Sequence, residues 1–266
     1  MNVNSNRILN QGIGLPGHLV QQTGPGSPER SSGLPELWSK TLSELSADEV
    51  KALGVGSSLD TLASLQSDLT LGEAAPLLGN PTALDSIVDL MTQRPDLKIG
   101  DLLQSDISGR VTIDPSYKSG ETMEFLKNRP DVSPQEVTSM RETFTRMFRD
   151  PMMGKWATEM GFELMQQRPD LKPQDMVRMM DTFARAAGMG QQGEGGSVPG
   201  SGSAGAALDM FSSASRLLVK RPDMQPERLG ELAKSVGRLA SPDDPNRGRR
   251  VAEGFDSAIV ALENNP

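Results

Sequence analysis

Large apolar residues fall in short stretches of helical spacing, and the stretches are broken the same way each time. Arg-Pro-Asp occurs at Arg94-Pro95-Asp96, Arg129-Pro130-Asp131, Arg168-Pro169-Asp170 and Arg221-Pro222-Asp223. Two large apolar residues precede it at a fixed offset: Leu90 and Met91, Phe125 and Leu126, Leu164 and Met165, Leu217 and Leu218. An apolar residue follows each Asp, namely Leu97, Val132, Leu171 and Met224. The pattern predicts a joint between two helices, written four times.

The second copy shows how the joint works. Arg129 closes a helix, where a cation meets the negative helix end and reaches its last carbonyls. Pro130 pushes the residue before it out of helical geometry. Ser133 is a good N-cap, Pro134 suits the first helical position, and Glu136 completes a capping box. Val132 pairs with Val137 as a hydrophobic staple. The same staple recurs as Leu97 with Leu102, Leu171 with Met176, and Met224 with Leu229. Leu45 to Val50 and Leu69 to Ala74 repeat the second half of the joint without Arg-Pro. Arg-Pro-Asp could instead form a ligand-binding row of charges. The stop signal is the better reading, because every residue already has a capping role.

From Arg94 to Arg129 is 35 residues, from Arg129 to Arg168 is 39, and from Arg168 to Arg221 is 53 with a Gly/Ser-rich insert. Periods of this size belong to helix-pair repeats, whose units bury their apolar faces on neighbours. Their irregularity points to an all-α fold, an irregular helical repeat or multi-helix bundle with a disordered N-terminal tail. Four segments follow: a tail over 1–33, a helical repeat domain over 34–189, a flexible linker over 190–205, and a C-terminal helical segment of the same repeat type over 206–266. Whether 190–205 separates two domains or is a loop in one fold stays open.

Helices are expected near 35–45, 46–53, 59–65, 70–78, from Pro81, 100–104, 117–128, 134–148, 151–164, 173–187, 206–220, 226–240 and from Asp244-Pro245 onward. The inward faces read as Val137, Met140, Phe144 and Met147; Met153, Trp156, Met160 and Leu164; Leu229, Leu232, Val236 and Leu239. As a core residue, Trp156 truncated to Ala would cost about 3–5 kcal/mol. Gly188 should close the 173–187 helix as a glycine C-cap. Ile107 to Ile113 could make a small hairpin, but two strands alone are marginal in water, so a loop is expected.

Composition narrows the function. The chain has 266 residues, a net charge of −8, 27 Gly, 19 Pro, 15 Met, ten aromatic residues and no Cys. The acidic balance disfavours nucleic-acid binding, which needs a basic footprint. Arg247, Arg249 and Arg250 form the one dense basic spot, beside Asp243 and Asp244, and read as a solvated face. Without Cys there are no disulfides, thiol nucleophiles or thiolate metal sites. His18, the single histidine, lies in the tail, so Ser-His-Asp and histidine-metal chemistry have no footing. No apolar run approaches the ~18 residues that span a bilayer. No metal, cofactor or small-molecule ligand is expected. Glu159 and Glu163, one turn apart, are the remaining acid–base candidates, though such pairs are usually just solvated.

Methionines cluster between Met140 and Met189, and Met suits adaptable interfaces as well as cores. Met152, Met165, Met179 and Met189 are therefore the candidate partner-binding residues. The chain reads as a non-enzymatic helical scaffold or adaptor for another protein, in the cytoplasm. The alternative is a bacterial secreted effector or secretion-associated protein, leaving by a route without a cleaved signal, with the tail as an uncleaved export leader.

Overall fold

The computed structural model describes residues 37–53, 56–78, 80–105, 111–113, 120–189, 201–241 and 244–264. The expected tail over 1–33 and residues 190–200 of the expected linker lie outside them. The fold is all-α and multi-helical, with one small two-stranded antiparallel pair among the described residues. It divides into two compact units, Met1–Pro130 and Asp131–Pro266, and the division falls inside the second joint.

The first unit contains α1 (Ala47–Leu53), α2 (Gly56–Leu65), α3 (Leu71–Leu78), α4 (Pro81–Gln93) and α5 (Gly120–Asn128). Reciprocal caps start α1 and α3. The Ser46 amide donates to Glu49 Oε2 at 2.7 Å while the Glu49 amide donates to Ser46 Oγ at 3.3 Å. Thr70 and Glu73 do the same. Asn80 Oδ1 accepts from the Ala83 amide and opens α4. The helix expected over 35–45 is interrupted. The Leu42 amide donates to the Leu69 carbonyl and the Leu71 amide to the Lys40 carbonyl, so an extended pairing outweighs local helical spacing there.

The loop expected after α4 is corrected as well. A 3-10 turn, Ile99–Leu102, leads into β1 (Leu103–Ser105), which pairs antiparallel with β2 (Val111–Ile113). Leu103 lies opposite Ile113 and Ser105 opposite Val111, so the first strand comes earlier than the pattern Ile107 to Ile113 suggested. The pair packs against α3, which supplies the support an isolated hairpin lacks.

The second unit contains α6 (Pro134–Phe148), α7 (Pro151–Gln167), α8 (Pro173–Ala186), α9 (Ser201–Lys220), α10 (Pro226–Leu239) and α11 (Arg247–Asn264). Ser133 and Glu136 form the full capping box on α6. Asp150 accepts from the Met152 and Met153 amides and starts α7. Gly188 ends α8 at φ 91°. The Met189 amide bonds the Ala184 carbonyl and the Gly188 amide the Arg185 carbonyl, which is a Schellman closure. α9 begins at Ser201, so the last five residues of the expected linker are helical. α9 packs on α8 and α11, so the helices on either side of 190–200 belong to one packed unit. At its centre Phe183 meets Phe255 at 5.3 Å and Phe211 edge-on at 6.4 Å, all three fully buried.

Two helix faces differ from the expectation, for one physical reason. α7 buries Gly154, Ala157, Thr158, Gly161, Phe162, Leu164 and Met165. A Cβ on Gly154 would stand 2.8 Å from the Thr145 Cα, so α6 and α7 cross backbone to backbone. Large side chains cannot enter such a crossing, and Trp156 is turned outward, 49% exposed. α10 repeats this: Gly230 and Gly237 face α8, where a Cβ on Gly237 would lie 3.2 Å from the Ala186 backbone, and Leu239 is 88% exposed. On α6, Phe148 is buried while Met147 is half-buried.

Candidate functional site

Arg-Pro-Asp is more than a stop signal. Arg94, Arg129 and Arg168 are each 4% exposed. Arg168 donates from Nε to Asp170 Oδ1 at 2.8 Å and from Nη2 to Asp170 Oδ2 at 2.7 Å. Its third arm, Nη1, donates to the Leu218 carbonyl at 2.9 Å, in the last turn of α9. Arg94 makes the same fork on Asp96 and sends Nη1 to the Leu126 carbonyl at 2.9 Å, in the last turn of α5. For Arg94 and Arg168 the expectation that the guanidinium serves its own helix end is corrected. The Asp holds the guanidinium flat, and the free arm closes a later helix that would otherwise leave bare carbonyls.

The electrostatics agree with the geometry. The Arg94 fork holds the Asp96 carboxyl below its ordinary range, and the Asp170 fork raises the Arg168 guanidinium. The Arg129 guanidinium lies 6.0 Å from the Phe125 ring centre. Arg221 forks onto Asp223 with longer bonds, 3.2 and 3.1 Å, in a more exposed setting.

The clamp from Arg168 ties the ends of α7 and α9 together. Beside that tie, their C-terminal halves enclose a groove of about 350 Å³. Met160, Leu164 and Val219 supply its apolar lining, and Ser212 and Ser215 line it from α9. Arg216 and Lys220 stand on the α9 wall and Glu163 on the α7 wall. Arg216 is held by Glu263 at 2.8 Å and Asp256 at 3.0 Å, and Lys220 by Glu263 at 2.7 Å. Toward the start of α7 the apolar lining continues into the open. Met160 is half-buried, Trp156 is 49% exposed and Met152 61% exposed, each four residues from the next. One stripe of α7 thus runs from an open Trp and Met into a groove.

Of the four methionines expected to meet a partner, only Met152 is exposed. Met165, Met179 and Met189 are buried in the second unit and offer no surface. Trp156, assigned to the core by its size and spacing, is half-exposed one turn from Met152 instead. The signal that would have found it is the opposite stripe, Gly154, Ala157 and Gly161, whose small residues at helical spacing mark a close crossing.

Glu159 Oε1 lies 3.2 Å from Lys155 Nζ, and Glu163 is exposed at the groove rim. Among the described residues no group of three or more His, Cys, Asp and Glu side chains could hold a metal ion, and no helix is long and apolar enough to cross a membrane. Arg249 pairs with Glu253 and Arg250 with Asp244, while Arg247 donates to the Gly237 carbonyl. Compared with protein-family models, curated proteins and solved structures, the chain matches none.

Proposed function

We propose that this protein is a non-enzymatic helical scaffold or adaptor, and that it takes a helix of another protein along the outer stripe of α7. The observation that carries the reading is the exposure of Trp156 beside Met152 on a helix whose opposite face is closely packed. Burying a half-open Trp and an open Met removes a large apolar area from water. Trp is enriched among residues that dominate binding energy, and Met adapts to irregular partners. The groove that continues the stripe gives an incoming helix a seat with both walls in place, so little ordering is needed on this side.

The test places a photo-reactive benzoylphenylalanine at position 156, and separately at exposed Ser257, in the native cell. The protein captured at 156 but not at 257 is then purified and its affinity measured. The expected result is binding to the unaltered chain that weakens at least about tenfold with Met152→Glu or Trp156→Glu, with helix content unchanged by circular dichroism. Equal capture at both positions, or equal affinity for the variants, contradicts the proposal.

A further inference from the structure

The chain holds 15 methionines, and the fold separates them by reach. Ten are buried, among them Met165, Met179 and Met189. Met147, Met153 and Met160 are half-buried, and Met1 lies outside the described residues. Met152, 61% exposed, is the one described methionine open to solvent. The chain has no cysteine to intercept a two-electron oxidant first. From this separation we infer that Met152 is a modification site. A hydroperoxide oxidises its thioether to the sulfoxide ahead of every other described methionine, the fold is kept, and the sulfoxide weakens docking on α7. The last step rests on the reading of the α7 stripe as a docking surface; the site itself does not.

The step is an oxygen transfer. A sulfur lone pair of Met152 attacks the outer oxygen of the hydroperoxide. The S–O bond forms as the O–O bond breaks, and the other oxygen leaves as an alcohol, or as water from hydrogen peroxide, with the transferred proton. Sulfur is oxidised by two electrons and the peroxide is reduced. A thiol-dependent sulfoxide reductase reverses the change: two thiols become one disulfide and the oxygen leaves as water. Peroxide must touch sulfur, so a buried methionine reacts only when the fold opens around it, and that opening costs free energy.

The fold is indifferent to the change at this position. Met152 is the second residue of α7, after Pro151, and its amide donates to Asp150 Oδ1 at 2.8 Å. That cap joins backbone to carboxylate and leaves the thioether out. A sulfoxide at Met165 or Met179 would instead place a polar group among packed side chains. The stripe is not indifferent. Met152 stands one turn from Trp156, and these are the two exposed large apolar side chains of α7. A sulfoxide there sets a strong acceptor where a partner would bury apolar surface. A bound partner in turn covers the sulfur and slows its oxidation.

The whole chain is treated with hydrogen peroxide, and each methionine is followed by peptide mass spectrometry, with fragment ions that separate Met152 from Met153. Met152 is expected to oxidise at least about tenfold faster than any buried methionine, with the melting temperature unchanged. A thiol-dependent methionine sulfoxide reductase should restore it. Docking is read with the protein captured at position 156. Its affinity should fall at least about fivefold on oxidation and recover on reduction. In Met152→Leu that affinity, whatever its value, should no longer respond to peroxide. Oxidation no faster at Met152 than at buried methionines, or a melting temperature that falls as Met152 alone is modified, overturns the site. Selective oxidation with unchanged affinity, while Trp156→Glu still lowers it, overturns the switch and leaves the docking surface standing. If nothing is captured at 156, or Trp156→Glu also changes nothing, the docking reading fails and takes the switch with it, and the mapping alone decides the site.

Discussion

The Arg168 guanidinium and the Leu218 carbonyl stand 50 residues apart in the chain and 2.9 Å apart in space. Arg94 and the Leu126 carbonyl repeat the relationship over 32 residues, also at 2.9 Å. In both cases the acceptor lies three residues before the next Arg of the series, Arg129 or Arg221. These two joints are therefore each fastened to the end of a helix that leads into the next joint.

Removing this fastening should be expensive. Arg168→Ala leaves the Leu218 carbonyl buried with one partner fewer and should lower unfolding free energy by about 2–3 kcal/mol. Arg168→Lys should recover little, since an ammonium cannot hold Asp170 in a fork and reach the carbonyl together. Asp170→Asn keeps one acceptor and should lose about 1 kcal/mol. Urea unfolding of the three variants measures the order; an Arg168→Lys as stable as the original chain would contradict it.

Two glycines separate close packing from open space. Gly154→Ala puts a methyl against the Thr145 backbone and should destabilise by about 1–3 kcal/mol. Gly205→Ala, inside α9 with no atom within 4 Å of the new methyl, should stabilise by about 0.5–1 kcal/mol. Thermal melts of both report the signs, and the two must be opposite.

Trp156 and Phe144 make a second pair. Phe144 is fully buried on α6, so Phe144→Ala should cost about 3–5 kcal/mol. Trp156→Ala should cost about 1 kcal/mol or less, because half of the side chain is already in water. Chemical denaturation distinguishes them; equal losses would return Trp156 to the core.

Local features were legible in the sequence. Ser133 with Glu136, Asn80, Asp150 and Gly188 act within a few residues of themselves, and each caps where its chemistry says. The staples are legible for the same reason: Val132, Val137, Leu171 and Met176 are all buried. What the sequence hid is non-local. The acceptor of Arg168 is separated from it by a helix and the Gly/Ser stretch. The face of α7 is set by how closely α6 approaches Gly154, and a hydrophobic pattern weighted by size selects Trp156 instead. Strand pairing from Leu103 was missed because its partner, Val111–Ile113, decides it.

Acid should loosen the first unit. Asp96 is held below its ordinary range by the Arg94 fork, Asp89 by Lys127, and Glu49 is lowered to about 2, chiefly by Lys40. Their folded values lie below the unfolded ones, so the contribution is complete above the unfolded values near pH ~4 and is lost as pH falls below them. The urea midpoint should stay level from about pH 7 to about pH 5 and drop below about pH 4. A midpoint rising on acidification would contradict this.

The most direct test of fastening across helices is amide hydrogen exchange on Arg168→Ala. The amides closing α9, including Arg221 bonded to the Leu217 carbonyl at 2.8 Å, should lose protection roughly tenfold or more. The amide closing α7, Arg168 itself on the Leu164 carbonyl, should change far less. Loss of protection confined to the end of α7, with the end of α9 untouched, would mean that the arginine serves only its own helix.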